Sequence, residues 1–393
     1  MTSYISSGLT PGGAGAMKLG ITGRYLALTI LAGLLMGLSL AVARSPQNQE
    51  GGPSGPKPDV GDTVLAPKKT TPSPGTSSSP STTTQTAPKG PERINPNEVF
   101  TLTTTTNLVN VDVLVVDNGG NPIGGLGKVN FKLYDEGVPQ TISNFGTGDA
   151  PMTICMLIEF SNKWWPFLYI ALRDSYEFVR VIEPKDWVAV VTFDMRTQML
   201  QDFTQNRYEV TQAIDQLRIP GFSEINLYDA LAETIDKMKD IQGRKAILVI
   251  CTGIDTFSKL TYEQMLKIAK NSDTVIYPIS ILEFVNVRTG GGGIGEAQAR
   301  ATLTYVAKYS GGQSYFPRFE AEMPSVYQQI STQLRQQYSL GFVPTNSTHD
   351  GKFRKLKIDL VDAQGNPLKV TDQKGKNVKY KVVAREGYYS PKT

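Results

Sequence analysis

The chain has 393 residues, room for about two compact domains or one domain with appendages. Its 40 Lys and Arg face 36 Asp and Glu, a net charge of +4 with no basic stripe, so nucleic-acid binding through phosphate neutralisation has no support. The one histidine, His349, sits in the polar turn "NSTHD", which all but excludes a Ser-His-Asp triad, a histidine-rich zinc site or a histidine general base.

At the N-terminus, "MKLGITGRYLALTILAGLLMGLSLAVA" joins a basic start (Lys18, Arg24) to an apolar middle and a small-residue end at Ala41-Val42-Ala43. These are the three parts of a secretory signal, and either Met1 or Met17 serves as its start. The run also approaches the ~20 residues that span a bilayer, so an uncleaved anchor is the rival reading of residues 1–43. Both readings take the rest of the chain out of the cytosol, to be secreted, periplasmic or anchored at the cell envelope, and both confine membrane contact to this segment. Residues 44–97 ("PSPGTSSSPSTTTQTAPKGP") hold almost no large apolar side chain. They bury too little surface to offset their ordering entropy and are expected to be a disordered spacer.

From residue 98 to 149 the pattern turns to β, with "LVNVDVLVVD", the turn "NGGNP" and "NFKLYDEGVPQTISNF". Residues 345–393 repeat that shape in "LKIDLVDAQGNPLKV", followed by "VKYKVVAREGYY". An apolar strand, an Asp and Gly-Asn-Pro at both ends predict one β-sandwich-like module built from the two flanking segments; two separate hairpins are the alternative.

Residues 150–344 differ in kind. "MTICMLIE", "DWVAVVTF", "KAILVICTG" and "DTVIYPISIL" are near-continuous apolar runs, as in strands buried on both faces. Helical periods lie between them: Leu168, Ala171, Leu172, Ser175, Phe178, Val179 and Ile182 fall on one face, as do Leu227, Ala230, Leu231, Ile235 and Met238, and Val326, Ile330 and Leu334. The alternation predicts an α/β fold with a doubly wound, mostly parallel sheet, whose ligands meet the carboxyl ends of the strands. Glu159 and Thr252 would both stand on that rim. Cys155 and Cys251 lie inside apolar runs and read as buried thiols more readily than as a disulfide.

The middle of the chain resembles the von Willebrand factor A-type domain. From about Val99 onward the chain resembles the secreted acidobacterial family that contains it. "VDVLVVDNGGNPIGGLGKVNFKLYDEGVPQTISNF", "INLYDALAETI", "ILVICTGIDTFSKLT", "YVAKYSGGQSYFPRFEAEMPSVYQQISTQLRQQYSLGFVP" and "AREGYYSP" carry the likeness. The resemblance implies a metal-ion-dependent adhesion site made by Asp-x-Ser-x-Ser after the first strand, a Thr from a later loop and an Asp after the fourth strand. Such oxygens suit a hard divalent cation with an exchangeable position. Here the positions that correspond hold Glu159, Ser161, Lys163, Ile225 and Thr252. An ammonium has no lone pair to donate and isoleucine has no oxygen, so the implied site is degenerate, binding Mg²⁺ weakly at most, and no other cofactor is expected.

Lys163 has two readings, an ammonium folded back onto Glu159 in place of the ion or a solvated loop lysine. Trp164 and Trp165 likewise read either as anchors for a partner or as caps on the apolar core. With Phe222, Glu224, Asn226, Asp255 and Phe257 they form the expected partner-binding set. "GGGGIGEAQA" matches a dinucleotide fingerprint as a string at Gly290, Gly292 and Gly295, but polar "NVRT" parts it from any strand, and a mobile loop is the stronger reading. No paired carboxylates suggest catalysis; Asp194, Asp202 and Glu224 read as loop charges and Asp229 as a helix-start residue. The sequence therefore predicts an exported, non-catalytic module that binds a protein partner. The alternatives are an envelope structural component and, less favoured, a hydrolase using rim carboxylates.

Overall fold

A computed structural model describes residues 90–94, 108–291, 293–371 and 376–392. The signal or anchor at 1–43 and most of the 44–97 spacer lie outside the described residues. The end of the spacer is an exception to the expected disorder, because residues 90–94 lie along the strand–helix core. Ile94 N donates to Asp240 O at 2.8 Å and Gln242 N donates to Glu92 O at 2.9 Å. Among the described residues no helix is long and apolar enough to cross a membrane.

In chain order the elements begin with β1 (Val109–Asp117), β2 (Phe131–Asp135), β3 (Val138–Gln140) and β4 (Ile142–Gly146). Then come β5 (Met152–Glu159), α1 (Trp165–Val181), β6 (Trp187–Phe193), β7 (Thr197–Thr204), α2 (Arg207–Asp215), α3 (Leu227–Met238) and β8 (Arg244–Cys251). They continue with α4 (Tyr262–Asn271), β9 (Val275–Ser280), α5 (Leu282–Thr289), α6 (Ile294–Ser310) and α7 (Met323–Arg335). The chain closes with β10 (Tyr338–Phe342), β11 (Phe353–Leu360), β12 (Val370–Thr371), β13 (Asn377–Val378), β14 (Tyr380–Ala384) and β15 (Gly387–Tyr389).

The central sheet has the order β7-β6-β5-β8-β9, parallel except for β7 at its edge. Alternate residues of β5 feed opposite cores: Met152, Ile154, Met156 and Ile158 meet α1, α2, α5 and α7, whereas Cys155 and Leu157 meet α3, α4 and α6. Burial on both faces is why these strands read as unbroken apolar runs. Consecutive strands leave β5 in one direction and β8 starts the other half, so the reversal of strand order falls between the carboxyl ends of β5 and β8. Ligands of doubly wound sheets bind at such a reversal. Both cysteines are free and buried.

The flanking strands form two antiparallel sheets, β14-β1-β10-β4 and β15-β11-β2-β3. Val111, Val113 and Val115 of β1 pack with Phe131, Leu133, Leu340, Phe342 and Leu360 between them. The repeated Asp…Gly-Asn-Pro motif builds the same turn twice. Asp117 Oδ1 accepts from Gly119 N and Asn121 N at 2.8 and 2.9 Å, and Asp362 Oδ1 accepts from Gln364 N and Asn366 N at 3.0 and 2.8 Å. Gly120 and Gly365 take φ of +81° and +84° there, where a side chain would be strained. Those donors hold both carboxyls below their ordinary range, the Asn121 side chain being the chief cause at Asp117 and the Asn366 backbone N–H at Asp362.

One boundary differs from the sequence reading. β10 falls within 150–344, yet it pairs with β1 and β4, so the strand–helix core ends with α7. Removing residues 350–393 takes away β11, β14 and β15, the neighbours of β2 and β1. Limited proteolysis of that truncation should cut within 109–135, where the full chain resists; equal resistance would mean that the two ends fold separately.

Candidate functional site

Strand β5 ends in Glu159, and β8 runs one residue on into Thr252, which brings the two side by side at the strand reversal. Glu159 is 0% exposed. One carboxylate oxygen accepts from Ser161 Oγ at 2.7 Å, and the other accepts from Thr252 N at 2.7 Å and Thr252 Oγ1 at 2.8 Å. Burial raises the Glu159 carboxyl above its ordinary range, outweighing the three donors that act the other way. Its charge in turn adds to the burial that pushes the Cys251 thiol up. The turn after Thr252 depends on Gly253, at φ +87°, where a Cβ would stand 2.8 Å from Leu303 Cδ1.

This set does not suit a divalent cation. Both hydroxyls that correspond to ligands point their protons at Glu159, Ile225 is buried in the core, and Lys163 offers no lone pair. Among the described residues no group of three or more His, Cys, Asp or Glu side chains is placed to hold a metal. Of the two readings of Lys163, the one that folds it back onto Glu159 is not what the structure shows. Lys163 is exposed and its ammonium lies 4.8 Å from the centre of the Trp164 ring, a cation–π contact.

The loops around Glu159 are pinned to one another. Asn162 N donates to Phe222 O at 2.6 Å, Asn226 N to Asp194 O at 2.8 Å, and Thr256 N and Phe257 N both to Ile225 O. Asp255 is half-buried, accepting from Ser258 Oγ at 2.5 Å and from Tyr228 N at 3.2 Å, so part of its carboxylate is used at the start of α3. Burial raises its carboxyl. Asp229 accepts from Lys259 N and Leu260 N, both at 2.9 Å, tying the same helix to the 252–261 loop. Asn226 is 5% exposed and its Oδ1 has no hydrogen-bond partner, so it faces inward and offers a partner little surface.

The tryptophans hold different positions. Trp164 packs against both cores, whereas Trp165 packs against one. The Trp165 ring meets Phe160 edge-on at 4.9 Å and Tyr169 at 5.8 Å. Tyr169, 55% exposed, extends this aromatic row onto the surface and went unnoticed in the sequence because it lies off the buried face of α1. Phe222 is half-buried under the Arg196 guanidinium at 5.3 Å, Glu224 is exposed, and Phe257 is 50% exposed. The structure thus leaves Tyr169, Glu224 and Phe257 exposed, holds Trp164, Trp165, Phe222 and Asp255 half-buried, and buries Asn226.

The glycine run does not form a dinucleotide turn. Gly290 closes α5 in the left-handed conformation at φ +67°, and α6 starts after Gly293, so a helix precedes the run where the fingerprint requires a strand.

No family model matches the chain, and no curated protein matches it. Solved structures do. An aerotolerance-related membrane protein from Bacteroides fragilis is 15% identical, with 47% of this chain and 98% of that one covered and a TM-score of 0.36. The vWF domain of the type V pili tip protein Mfa5 from Porphyromonas gingivalis is 14% identical over 46% of this chain and 94% of that one, TM-score 0.37. A von Willebrand factor type A structure from Catenulispora acidiphila is 10% identical over 72% and 75%, TM-score 0.39.

Proposed function

We propose that the strand–helix core, a von Willebrand factor A-type fold, is a non-catalytic binding module that meets a protein partner on its carboxyl rim without a bridging cation. The N-terminal segment would carry it out of the cytosol. The observation that carries this reading is the hydrogen-bonding of Glu159. Its carboxylate takes the hydroxyls that a metal site would turn outward, so the adhesion site is degenerate and affinity has to come from apolar contact. Aromatic side chains supply most of the energy in protein interfaces, and here they stand on loops whose cross-bonds hold them in place. The rim carboxylates of Glu159, Asp229 and Asp255 are engaged as acceptors within the loops, which argues against a hydrolytic pair.

A photo-crosslinking residue placed at Phe257, on the rim, should capture a discrete envelope protein in the presence of a chelator. The same residue at Val181, the exposed last residue of α1 at the opposite end, should not. Capture from Val181 alone, or capture that the chelator abolishes, would refute the rim reading.

A further inference from the structure

A cleft of about 820 Å³ lies between the strand–helix core and the β-sandwich, far from the tryptophan rim in the chain's architecture. Its size falls in the range of small-molecule sites, and module junctions are a favoured place for them. One wall comes from α3 and α4 and the other from the segment after β10 and from β15. Ile235 and Ile268 face Val343, Pro344 and Tyr389 across it. Val343 is 44% exposed, apolar surface that the described residues leave open.

The polar part of the cleft is cationic. Arg385, 8% exposed, donates Nη1 to Ser272 O at 3.1 Å, while its Nε is buried with no acceptor. Asp273, the carboxylate of the same wall, is engaged with Lys245 at 2.7 Å. Arg354 gives both Nη groups to carbonyls, those of Asn346 and Thr348, and so shapes the wall while adding its charge. Both carboxylates that line the cleft are paired, Asp236 with Lys239 at 2.8 Å and Asp273 with Lys245, which leaves Arg385 and Arg354 as lining cations without a carboxylate partner among the described residues. A guanidinium that lines a cleft without a carboxylate partner has a carboxylate as its natural complement.

We propose that this cleft binds an amphipathic monocarboxylate, a medium-chain fatty acid type of ligand, with the carboxylate on Arg385 and the alkyl chain between the isoleucines and Val343. The site is independent of the partner-binding rim. Isothermal titration of the full chain with decanoate should show one site of sub-millimolar affinity, with the same-length cation decyltrimethylammonium binding at least about tenfold more weakly. Val343→Trp fills the cleft from an exposed position and should abolish binding with circular dichroism unchanged. Arg385→Lys keeps the charge but loses the fork and should weaken decanoate by about tenfold. Absence of decanoate binding, equal affinity for the cation, or binding that survives Val343→Trp would each overturn the proposal.

Discussion

Glu159→Ala is expected to lower the stability of the folded chain by about 3–5 kcal/mol, a fall of roughly 10 °C in the melting temperature. The change deletes the common acceptor of Ser161 Oγ, Thr252 N and Thr252 Oγ1 in a place without solvent access, and leaves a cavity between the two central strands. Glu159→Gln behaves differently. Its carbonyl oxygen still accepts from Thr252, and its amide can donate to Ser161 Oγ, which then acts as acceptor. The sign of the pH effect follows from burial. The folded state holds the Glu159 proton more tightly than the unfolded chain, so this residue's contribution is full below the unfolded carboxyl range. It is lost as pH rises through the raised folded value. Glu159→Gln removes that slope and should gain on the parent protein as pH rises above the ordinary carboxyl range. Denaturant melts over that rise in pH are the check. A Gln variant that loses ground as pH rises would mean that the ionised carboxylate is the stabilising form.

Trp165→Ala combined with Phe257→Ala should weaken capture of the crosslinked partner by about a hundredfold or more. Each anchor is worth on the order of 2 kcal/mol when buried in an interface. Both side chains keep accessible surface, so the stability cost should stay near 1–2 kcal/mol. Trp164→Ala should show the opposite balance. Its ring touches both cores, so the loss falls chiefly on stability, about 2–4 kcal/mol, with a smaller effect on capture. The tandem tryptophans pack differently, and melting temperature beside capture affinity separates the two roles proposed for them. Unchanged capture in the Trp165/Phe257 variant would remove the rim from consideration.

The difference between the tryptophans shows where local pattern stops. Strands β5, β6, β8 and β9 were legible because burial on both faces writes itself as an unbroken apolar run, and the helices because their buried faces recur every three or four residues. Glu159 and Thr252 could be placed on the rim from those strands alone. Strand β7 was not, since "TQMLQDFT" on a sheet edge is mostly half-exposed and carries no such run. Strand β10 was read as part of the core because its role depends on partners far away in sequence: Tyr338 pairs with Val113 and packs against Phe131 at 5.0 Å. The loop bonds that turn Asn226 and Asp255 inward are likewise long-range. The stacking of Lys163 on Trp164 is local, yet a sequence cannot say which neighbour an exposed lysine will choose.

Calorimetric titration of the full chain with Mg²⁺ and Mn²⁺ bears most directly on whether the rim works without a cation, set beside a variant carrying Glu159→Asp, Lys163→Ser, Ile225→Thr and Thr252→Asp. The parent should show no binding tighter than about millimolar, and the variant should acquire it, because the shorter carboxylate frees Ser161 and the restored oxygens complete a hard-cation site. Sub-millimolar binding by the parent protein would contradict the account, since Glu159 and its hydroxyl donors would then be turning outward to hold the ion.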